Sequence, residues 1–291
     1  MTNSIVSETL TEPEPKDSAA SGRDRWYLYV PLIIGFAVTI LPFAWMVSGA
    51  FKPHTEILSG EFSLIPQNPT WVNFHDLFTK VDFLQYFSNS VVVVVAVVAG
   101  NLLFCPMLAY ALTKLDFPGR RALFALVMTM LMVPTVVTFI PLFVLVTKMG
   151  LINSYGALIL PFLATPLGVF IMRQFISGLP DSLLEAARLD GAGEFRIFFT
   201  IVLPLCGPAL ATVAILQFLT TWNEFLWPLV AAQTEDRYTL PVAIAMISAS
   251  ANSVNYGLLL AGATVVVLPV IALFLFLQRH FVQGITTTGI K

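Results

Sequence analysis

Long apolar segments separated by short polar ones dominate the pattern along this chain. A helix needs about 20 apolar residues to cross the hydrocarbon core of a bilayer. Six segments meet that length: Tyr27–Val47, Phe87–Leu112, Ala122–Val146, Tyr155–Ile176, Leu205–Ala231 and Leu258–Leu277. Several contain proline, which predicts kinked helices whose freed carbonyls are satisfied by their neighbours. The pattern therefore predicts an all-α, polytopic membrane protein with six transmembrane helices.

Composition supports a membrane protein. Of the 291 residues, 57% are hydrophobic and 11% are charged, whereas soluble domains carry about 25% charged residues. A net charge of −2 gives no basic footprint for nucleic acid. Cys105 and Cys206 lie in or beside apolar segments, so we expect small buried residues rather than a disulfide framework.

The ends of the chain differ from its middle. Residues 1–25 are rich in Ser, Thr, Glu, Pro and Asp, which predicts a disordered tail. They lack the basic start and apolar core of a signal peptide, so we expect the first apolar segment to be a retained anchor. Residues 26–280 then form the six-span domain and residues 281–291 a C-terminal tail.

Lysine and arginine are distributed unevenly between the polar segments. If the N-terminus is cytoplasmic, four basic residues lie outside: Lys52, Lys80, Lys148 and Arg237. Eleven lie inside: Lys16, Arg23, Arg25, Lys114, Arg120, Arg121, Arg173, Arg188, Arg196, Arg279 and Lys291. The positive-inside rule therefore predicts that both termini are cytoplasmic. The stretch 178–204 is then cytoplasmic, and the stretches 50–86 and 233–255 face outward, where 50–86 has the aromatic content of a small interfacial cap.

The polar stretch after Gly178 has a helical pattern. Ser182 and Glu185 have the spacing of a capping box, which predicts the start of a helix. Gly191 is placed to end that helix in the left-handed conformation, and Glu194–Phe199 restarts a second short helix. The apolar stripe predicted for the first helix is Leu183, Leu184, Ala187 and Leu189.

Small residues and balanced charge indicate what this helix contacts. Ala186 and Ala187 give it a small face that lets another surface approach closely. A helix lying in lipid headgroups usually has a strongly basic polar face. Here acidic residues offset Arg188 and Arg196, so the pattern favours a protein socket over the bilayer surface.

Three segments carry a family resemblance. Glu185-Ala186-Ala187, Asp190-Gly191-Ala192 and Ile201-Val202-Leu203-Pro204 together resemble the EAA loop of bacterial ABC-importer permeases. The segments Trp222–Leu229 and Phe281–Thr286 resemble sequences typical of the carbohydrate-uptake class. Nearly the whole chain after its first 25 residues is similar to the maltose-type second permease subunit.

The resemblance implies a location and a set of partners. The chain is expected in the bacterial plasma (inner) membrane, beside a homologous second permease subunit and two cytoplasmic ATPase subunits. An extracytoplasmic solute-binding protein would deliver a carbohydrate. No cofactor is expected in this chain, because ATP and Mg would be bound by the partner ATPase.

The resemblance also implies roles for particular residues. The residues expected to couple to the ATPase are Glu185, Ala186, Ala187, Asp190 and Gly191. Glu185 would meet a basic residue of the ATPase, and Gly284–Lys291 would reach between the two ATPase subunits. ATP binding would then move the coupling helices as rigid bodies and switch the spans between inward-open and outward-open states.

Signatures of chemistry within this chain are missing from the sequence. It has no Walker A pattern, no H-E-x-x-H and no G-x-S-x-G. The histidines His54, His75 and His280 are scattered. We therefore do not expect an enzyme.

Polar residues near the end of the fifth span are candidates for the substrate pathway, since polar groups in spans are costly. The candidates are Gln217, Trp222, Asn223 and Glu224. Glu224 lies roughly 30 Å beyond Pro204 along a helix, near the outer boundary of the membrane. Aromatic rings suit the apolar side of a sugar, and amides and carboxylates suit its hydroxyls. The other interpretation is an interfacial aromatic belt with a hydrogen-bonded helix cap.

Three other functions are compatible with parts of the pattern. A stand-alone ion-coupled carrier would need ionisable residues inside the spans, which offer almost none. A membrane scaffold would use the polar stretch only to dock a cytoplasmic protein. An importer for a sugar-like solute, such as a glycerol phosphodiester or a polyol, would keep the same architecture.

Overall fold

Helices are the only regular elements in the parts of the chain that the computed structural model describes, which are residues 26–59, 63–250 and 255–288. Side chains are not described at 26, 28, 247–250 and 277–288. The helices are α1 (Trp26–Ala50), α2 (His54–Leu58), α3 (Val72–Thr79), α4 (Phe83–Lys114), α5 (Arg120–Met132), α6 (Thr135–Lys148), α7 (Tyr155–Ile159), α8 (Pro166–Ser177), α9 (Asp181–Leu189), α10 (Glu194–Ile197), α11 (Leu203–Leu205), α12 (Gly207–Trp222), α13 (Leu226–Ala231), α14 (Leu240–Ser250) and α15 (Tyr256–Thr288). The predicted all-α class is confirmed.

The chain divides into two compact units, residues 1–45 and 46–291. In the first unit, the described residues belong to α1, whose apolar stretch from Tyr29 is long enough to cross a membrane. The second unit holds the remaining helices and the hydrophobic cluster that packs beneath α9. The predicted N-terminal tail, residues 1–25, lies outside the described residues.

The predicted spans appear as four apolar helical stretches and two bent pairs. The four stretches are Tyr29–Ala50, Phe83–Lys114, Tyr155–Ser177 and Tyr256–Phe276. The pair α5 and α6 bends by 107°, and the pair Glu194–Leu205 and α12 bends by 78°. Pro134 lies in the first break, and Pro204 and Pro208 flank the second; proline cannot donate the backbone hydrogen bond that would continue a helix. The count is therefore six when each bent pair forms one span.

The boundaries of the last two spans differ from prediction. The predicted span Leu205–Ala231 is wrong as one helix, because α12 ends at Trp222 and α13 begins only at Leu226. The last helix continues to Thr288, so the predicted tail 281–291 is helical over most of its length. Its side chains, and with them the contact predicted for Gly284–Lys291, lie outside the described residues.

The long helix α4 is the centre of the second unit and packs chiefly against α8 and α12. Small residues allow this close approach. A Cβ on Gly100 would lie 2.5 Å from Leu163 Cδ2 and 3.1 Å from Leu163 Cα. Cys105 and Cys206 are both fully buried and free, as predicted.

An asparagine on α4 stabilises a break in the third apolar stretch. Between a short 3₁₀ turn and α8, the backbone leaves helical geometry. The Asn101 amide nitrogen donates to the Phe162 carbonyl at 2.7 Å, and its oxygen accepts from the Thr165 N–H at 3.0 Å. Backbone groups without partners are costly inside a membrane, so the buried Asn101 makes this break tolerable.

The stretch 50–86, which was predicted to face outward, packs against α15 through α2 and α3. Buried Asn73 of α3 donates to the carbonyls of Ala50 and Lys52. A Cβ on Gly257 would lie 2.5 Å from Asn73 Oδ1, so α3 packs directly on α15. The helix α14 was not predicted, because its 11 residues are too few for a span and lie in a stretch interpreted as a loop.

Replacing Gly100 with alanine tests the packing of α4. The added methyl group meets the backbone of Leu163 as well as its side chain, and overpacking of this kind costs about 1–3 kcal/mol. We expect Gly100→Ala to lower the melting temperature in detergent by several degrees. Gly207→Ala is the matched control, because a Cβ there meets nothing within 4 Å. Equal melting temperatures for the two variants would contradict the close contact.

Candidate coupling interface

The start of α9 differs from the sequence prediction. Pro180 precedes the helix with φ −59° and ψ 129° and has no side chain that can cap it. Because the ψ of Pro180 is not helical, Pro180 lies outside the helix, α9 begins at Asp181, and Ser182 already lies within the first turn. The predicted capping box of Ser182 and Glu185 is therefore wrong. Asp181 instead places a negative charge at the positive end of the helix dipole.

The end of α9 is as predicted. Gly191 has a φ of +77°, which lies in the left-handed region that glycine adopts at little cost. The Gly191 N–H donates to the Arg188 carbonyl, and the Ala192 N–H donates to the Ala187 carbonyl, each at 3.0 Å. This pair of bonds is a Schellman motif, and it gives α9 a fixed end.

The predicted apolar stripe of α9 divides between two faces. Leu184 is 2% exposed, and Ala187 is also buried in the same cluster as Ile197 and Val202. Leu183 and Leu189 face away, with Leu189 89% exposed. Successive residues of a helix are about 100° apart, so these four residues cannot share one face. Ala187 therefore packs inside the protein. Of the two alanines, only Ala186 lies on the outer face of α9, where a small residue was predicted.

The open face of α9 combines apolar and acidic groups. Leu183, Ala186 and Leu189 are exposed there, and Asp190 and Gly191 follow at its end. Apolar side chains exposed in this way mark sites of interaction.

Two further residues extend the open face. The Glu185 carboxylate is exposed and forms no hydrogen bond or ion pair with any residue that the structure describes. Phe195 in α10 is 73% exposed. The helix therefore offers an apolar patch with the unpaired carboxylate of Glu185, and a second unpaired carboxylate, Asp190, follows at its end.

Polar contacts hold the opposite side of α9. Lys114 Nζ donates to Asp181 Oδ1 at 2.6 Å and to the Leu179 carbonyl at 2.7 Å. The hydrogen bond from Lys114 lowers the pKa of Asp181 below its ordinary value, so Asp181 is ionised at neutral pH. Arg188 donates from Nε to Glu194 Oε1 at 2.8 Å, and this bond raises the pKa of Arg188.

Among the candidates for the pathway, Trp222 is a packing residue of α12. It is 2% exposed, and its indole nitrogen donates to the Val266 carbonyl at 3.1 Å. Its ring stacks on Phe218 and meets Phe87 edge-on. Trp222 therefore joins α12 to α15 and does not present its ring at the surface of this chain.

The other three candidates remain at least partly accessible. Gln217 is half-buried and donates to Thr221 Oγ1 at 3.1 Å. Asn223 is exposed and donates to the Leu219 carbonyl of its own helix. Glu224 is exposed, and its carboxylate accepts the Trp227 N–H at 3.3 Å. Asn223 and Glu224 thus shape the break between α12 and α13 and still expose polar atoms.

Sequence reasoning missed the residues that hold α9 in place. Tyr110 and Lys114 lie one turn apart near the end of α4, and Tyr110 Oη donates to Glu194 Oε2 at 2.5 Å. The one local signal is that both residues are polar and lie in the last turns of an apolar helix, which indicates partners outside the membrane core. Their partners are 67 and 84 residues away, beyond the reach of any local pattern.

Comparisons with known proteins agree with this architecture. The arabinooligosaccharides transport system permease protein AraQ of Halalkalibacterium halodurans is 42% identical over 267 residues, covering 89% of this chain and 95% of the relative. The diacetylchitobiose uptake system permease protein NgcG of Streptomyces coelicolor is 34% identical, covering 92% and 90%.

The fold and the family are also matched. A crystal structure of a bacterial ABC transporter involved in the import of the acidic polysaccharide alginate gives a TM-score of 0.80 at 23% identity, covering 90% of this chain and 98% of that one. Residues 105–287 match the family model described as binding-protein-dependent transport system inner membrane component. The predicted resemblance is therefore confirmed: the chain is a transport permease, and it belongs to the family of inner membrane components of binding-protein-dependent transport systems.

Proposed function

We propose that this chain is one of two permease subunits of an ABC importer that carries an oligosaccharide across the inner membrane. The family is described as binding-protein-dependent, which supports an extracytoplasmic binding protein as the partner that delivers the cargo. The relatives named for arabinooligosaccharides and diacetylchitobiose support a short chain of sugars as the cargo. ATP and Mg would be bound by two ATPase subunits on the cytoplasmic side.

The open face of α9 carries this proposal. It presents Leu183, Ala186 and Leu189 around the unpaired carboxylate of Glu185, while its other face is fixed to the protein. A partner of matching shape would bury the leucines and pair Glu185 with a cation. Both requirements fit a cleft in an ATPase subunit, and they support a cytoplasmic position for α9 and for both termini.

The attachment of α9 explains how ATP-driven movement would reach the membrane. The helix is short, is closed by the Schellman motif at Gly191 and is packed through Leu184 and Ala187. It would therefore move as one body with the helices beneath it. Closure of the ATPase pair would switch the spans between inward-open and outward-open states, which is alternating access through a bistable interface.

A stand-alone ion-coupled carrier is a weaker candidate. Family membership favours a partner-dependent transporter, and the open face of α9 would have no use in a carrier that works alone. Among sugar-like cargoes, a phosphorylated solute would need basic groups along the pathway. The accessible candidates Gln217, Asn223 and Glu224 are amides and a carboxylate, which suit the hydroxyls of a neutral oligosaccharide.

Reversing the charge of Glu185 tests the coupling role. We expect Glu185→Lys to insert normally and to lower ATP-driven oligosaccharide uptake in vesicles about tenfold or more. The reason is that breaking a buried charge pair at an interface costs about 2–5 kcal/mol, and about 1.4 kcal/mol corresponds to a tenfold change.

Asp116→Lys is the matched control. It makes the same charge change at a carboxylate between α4 and α5 that is 96% exposed, where a surface ion pair contributes little. Uptake should stay near the unmutated level in this variant. Normal uptake by Glu185→Lys would remove Glu185 from the coupling role.

Asn223 tests the pathway assignment. We expect Asn223→Ala to slow oligosaccharide uptake about two- to tenfold, because a hydrogen bond to a neutral group contributes about 0.5–1.5 kcal/mol. ATPase association should be unaffected. The control is Asn68→Ala, which removes an exposed amide from the outer cap. Equal uptake by the two variants would leave Asn223 as a residue of the helix break only.

A further inference from the structure

We propose that α4 moves as a rigid helix and transmits movement between the docking helix α9 and the outer segment Glu235–Leu240. Tyr110 and Lys114 are the positioning residues at its inner end. This inference rests on the proposed function, because it takes α9 to be the surface that the ATPase moves. It adds the path by which that movement crosses the membrane.

Lys114 attaches the beginning of α9 to α4. Its ammonium group contacts the carboxylate of Asp181 at 2.6 Å and the carbonyl of Leu179 at 2.7 Å. The Lys114 side chain is only 6% exposed. Charge-assisted hydrogen bonds are roughly twice as strong as neutral ones, and a shielded lysine with two oxygen partners has little freedom to exchange them for water.

Tyr110 attaches the end of α9. Its buried hydroxyl donates to Glu194 Oε2 at 2.5 Å. Glu194 Oε1 also accepts a hydrogen bond from Arg188 Nε at 2.8 Å. Arg188 belongs to the last turn of α9. The Tyr110 ring also packs on Phe198 at a centroid distance of 5.6 Å. The Tyr110–Glu194–Arg188 chain therefore fixes the second end of the docking helix.

The two attachments act on one face of each helix. Tyr110 and Lys114 are four residues apart on α4, and Asp181 and Arg188 are seven residues apart on α9. Such spacings place side chains on the same side of a helix. Between them, Leu184 and Ala187 pack into the same cluster as Ala109 and Leu112. A helix held at both ends and packed between them cannot roll or slide without moving α4.

The outer end of α4 is tied in a similar way. Asn89 donates to the carbonyls of Asp236 and Tyr238 at 3.0 and 2.9 Å. Ser90 Oγ accepts the Leu240 N–H at 2.8 Å. The Asn89 oxygen is itself held by the Tyr155 hydroxyl at 2.6 Å. Displacement of this end of α4 would therefore carry the segment Glu235–Leu240 with it.

The helix between the two ends is continuous. It has 32 residues and runs through Pro106 without interruption, which gives a length of roughly 48 Å at about 1.5 Å per residue. Several neighbouring spans are broken or bent. Of the helices that the structure describes, α4 is thus the one tied by polar side chains both to α9 and to the outer segment.

The test uses Tyr110→Phe and Lys114→Met in the complete transporter. Each change keeps the bulk of the side chain and removes its polar end. We expect both variants to retain the ATPase subunits and to hydrolyse ATP, while the oligosaccharide carried per ATP falls about tenfold. Lys114→Arg should restore most of this ratio, because it keeps a cation. A loss caused only by damaged folding would instead lower hydrolysis and transport together.

Thr113→Val is the matched control on the same helix. Its hydroxyl donates to the Ala109 carbonyl of α4 itself and forms no hydrogen bond with any described residue of α9, so the transport ratio should be unchanged. An unmutated chain that holds no ATPase would overturn the proposed function itself. Normal ratios in Tyr110→Phe and Lys114→Met, with the ATPase retained, would overturn only the role of α4.

A distance measurement gives a second, independent readout. Spin labels at exposed Ser182 on α9 and at Leu84 near the outer start of α4 report whether the two move together. In the unmutated transporter we expect this distance to be the same with and without ATP, and to change with ATP in the Tyr110→Phe, Lys114→Met double variant. A distance that changes with ATP in the unmutated transporter would contradict the rigid connection between α9 and α4.

Discussion

The attachment of α9 to the end of α4 is the interaction from which the proposed coupling follows. A short polar helix has little stability alone, since isolated helices under about 12–15 residues are marginal in water. Here α9 buries its own residues Leu184 and Ala187 against the protein. Lys114 and Tyr110 of α4 hold its two ends. The result is a fixed helix whose outer face is left free, and a fixed helix is what mechanical coupling requires.

Broken helices are the second theme of the architecture. Where prolines interrupt the spans, the freed backbone groups need partners within the protein. Asn101 supplies them at the break before α8, and Glu224 accepts a backbone N–H at the break after α12. Polar residues in the spans are therefore partly structural. This explains why a polar side chain within an apolar stretch does not by itself identify the substrate pathway.

Length and hydropathy were enough to predict the helical class and the approximate spans, because crossing a bilayer imposes a minimum apolar length. They did not reveal that the fifth span stops at Trp222, because Asn223 and Glu224 were interpreted as pathway residues within one longer apolar stretch. The end of α9 could be predicted from Gly191. Its start could not, because the helix begins directly after Pro180 and not at a capping box of Ser182 and Glu185. The bond between Tyr110 and Glu194 joins residues 84 positions apart and leaves no local signature.

We propose that the free face of α9 binds a socket in a cytoplasmic ATPase. This docking is tested by a tagged purification from native membranes in mild detergent, with the bound proteins identified by mass spectrometry. We expect an ATPase and a second permease in the eluate, and we expect a cysteine at Ala186 to crosslink to the ATPase. A chain recovered without an ATPase, even after crosslinking, would contradict the docking of α9.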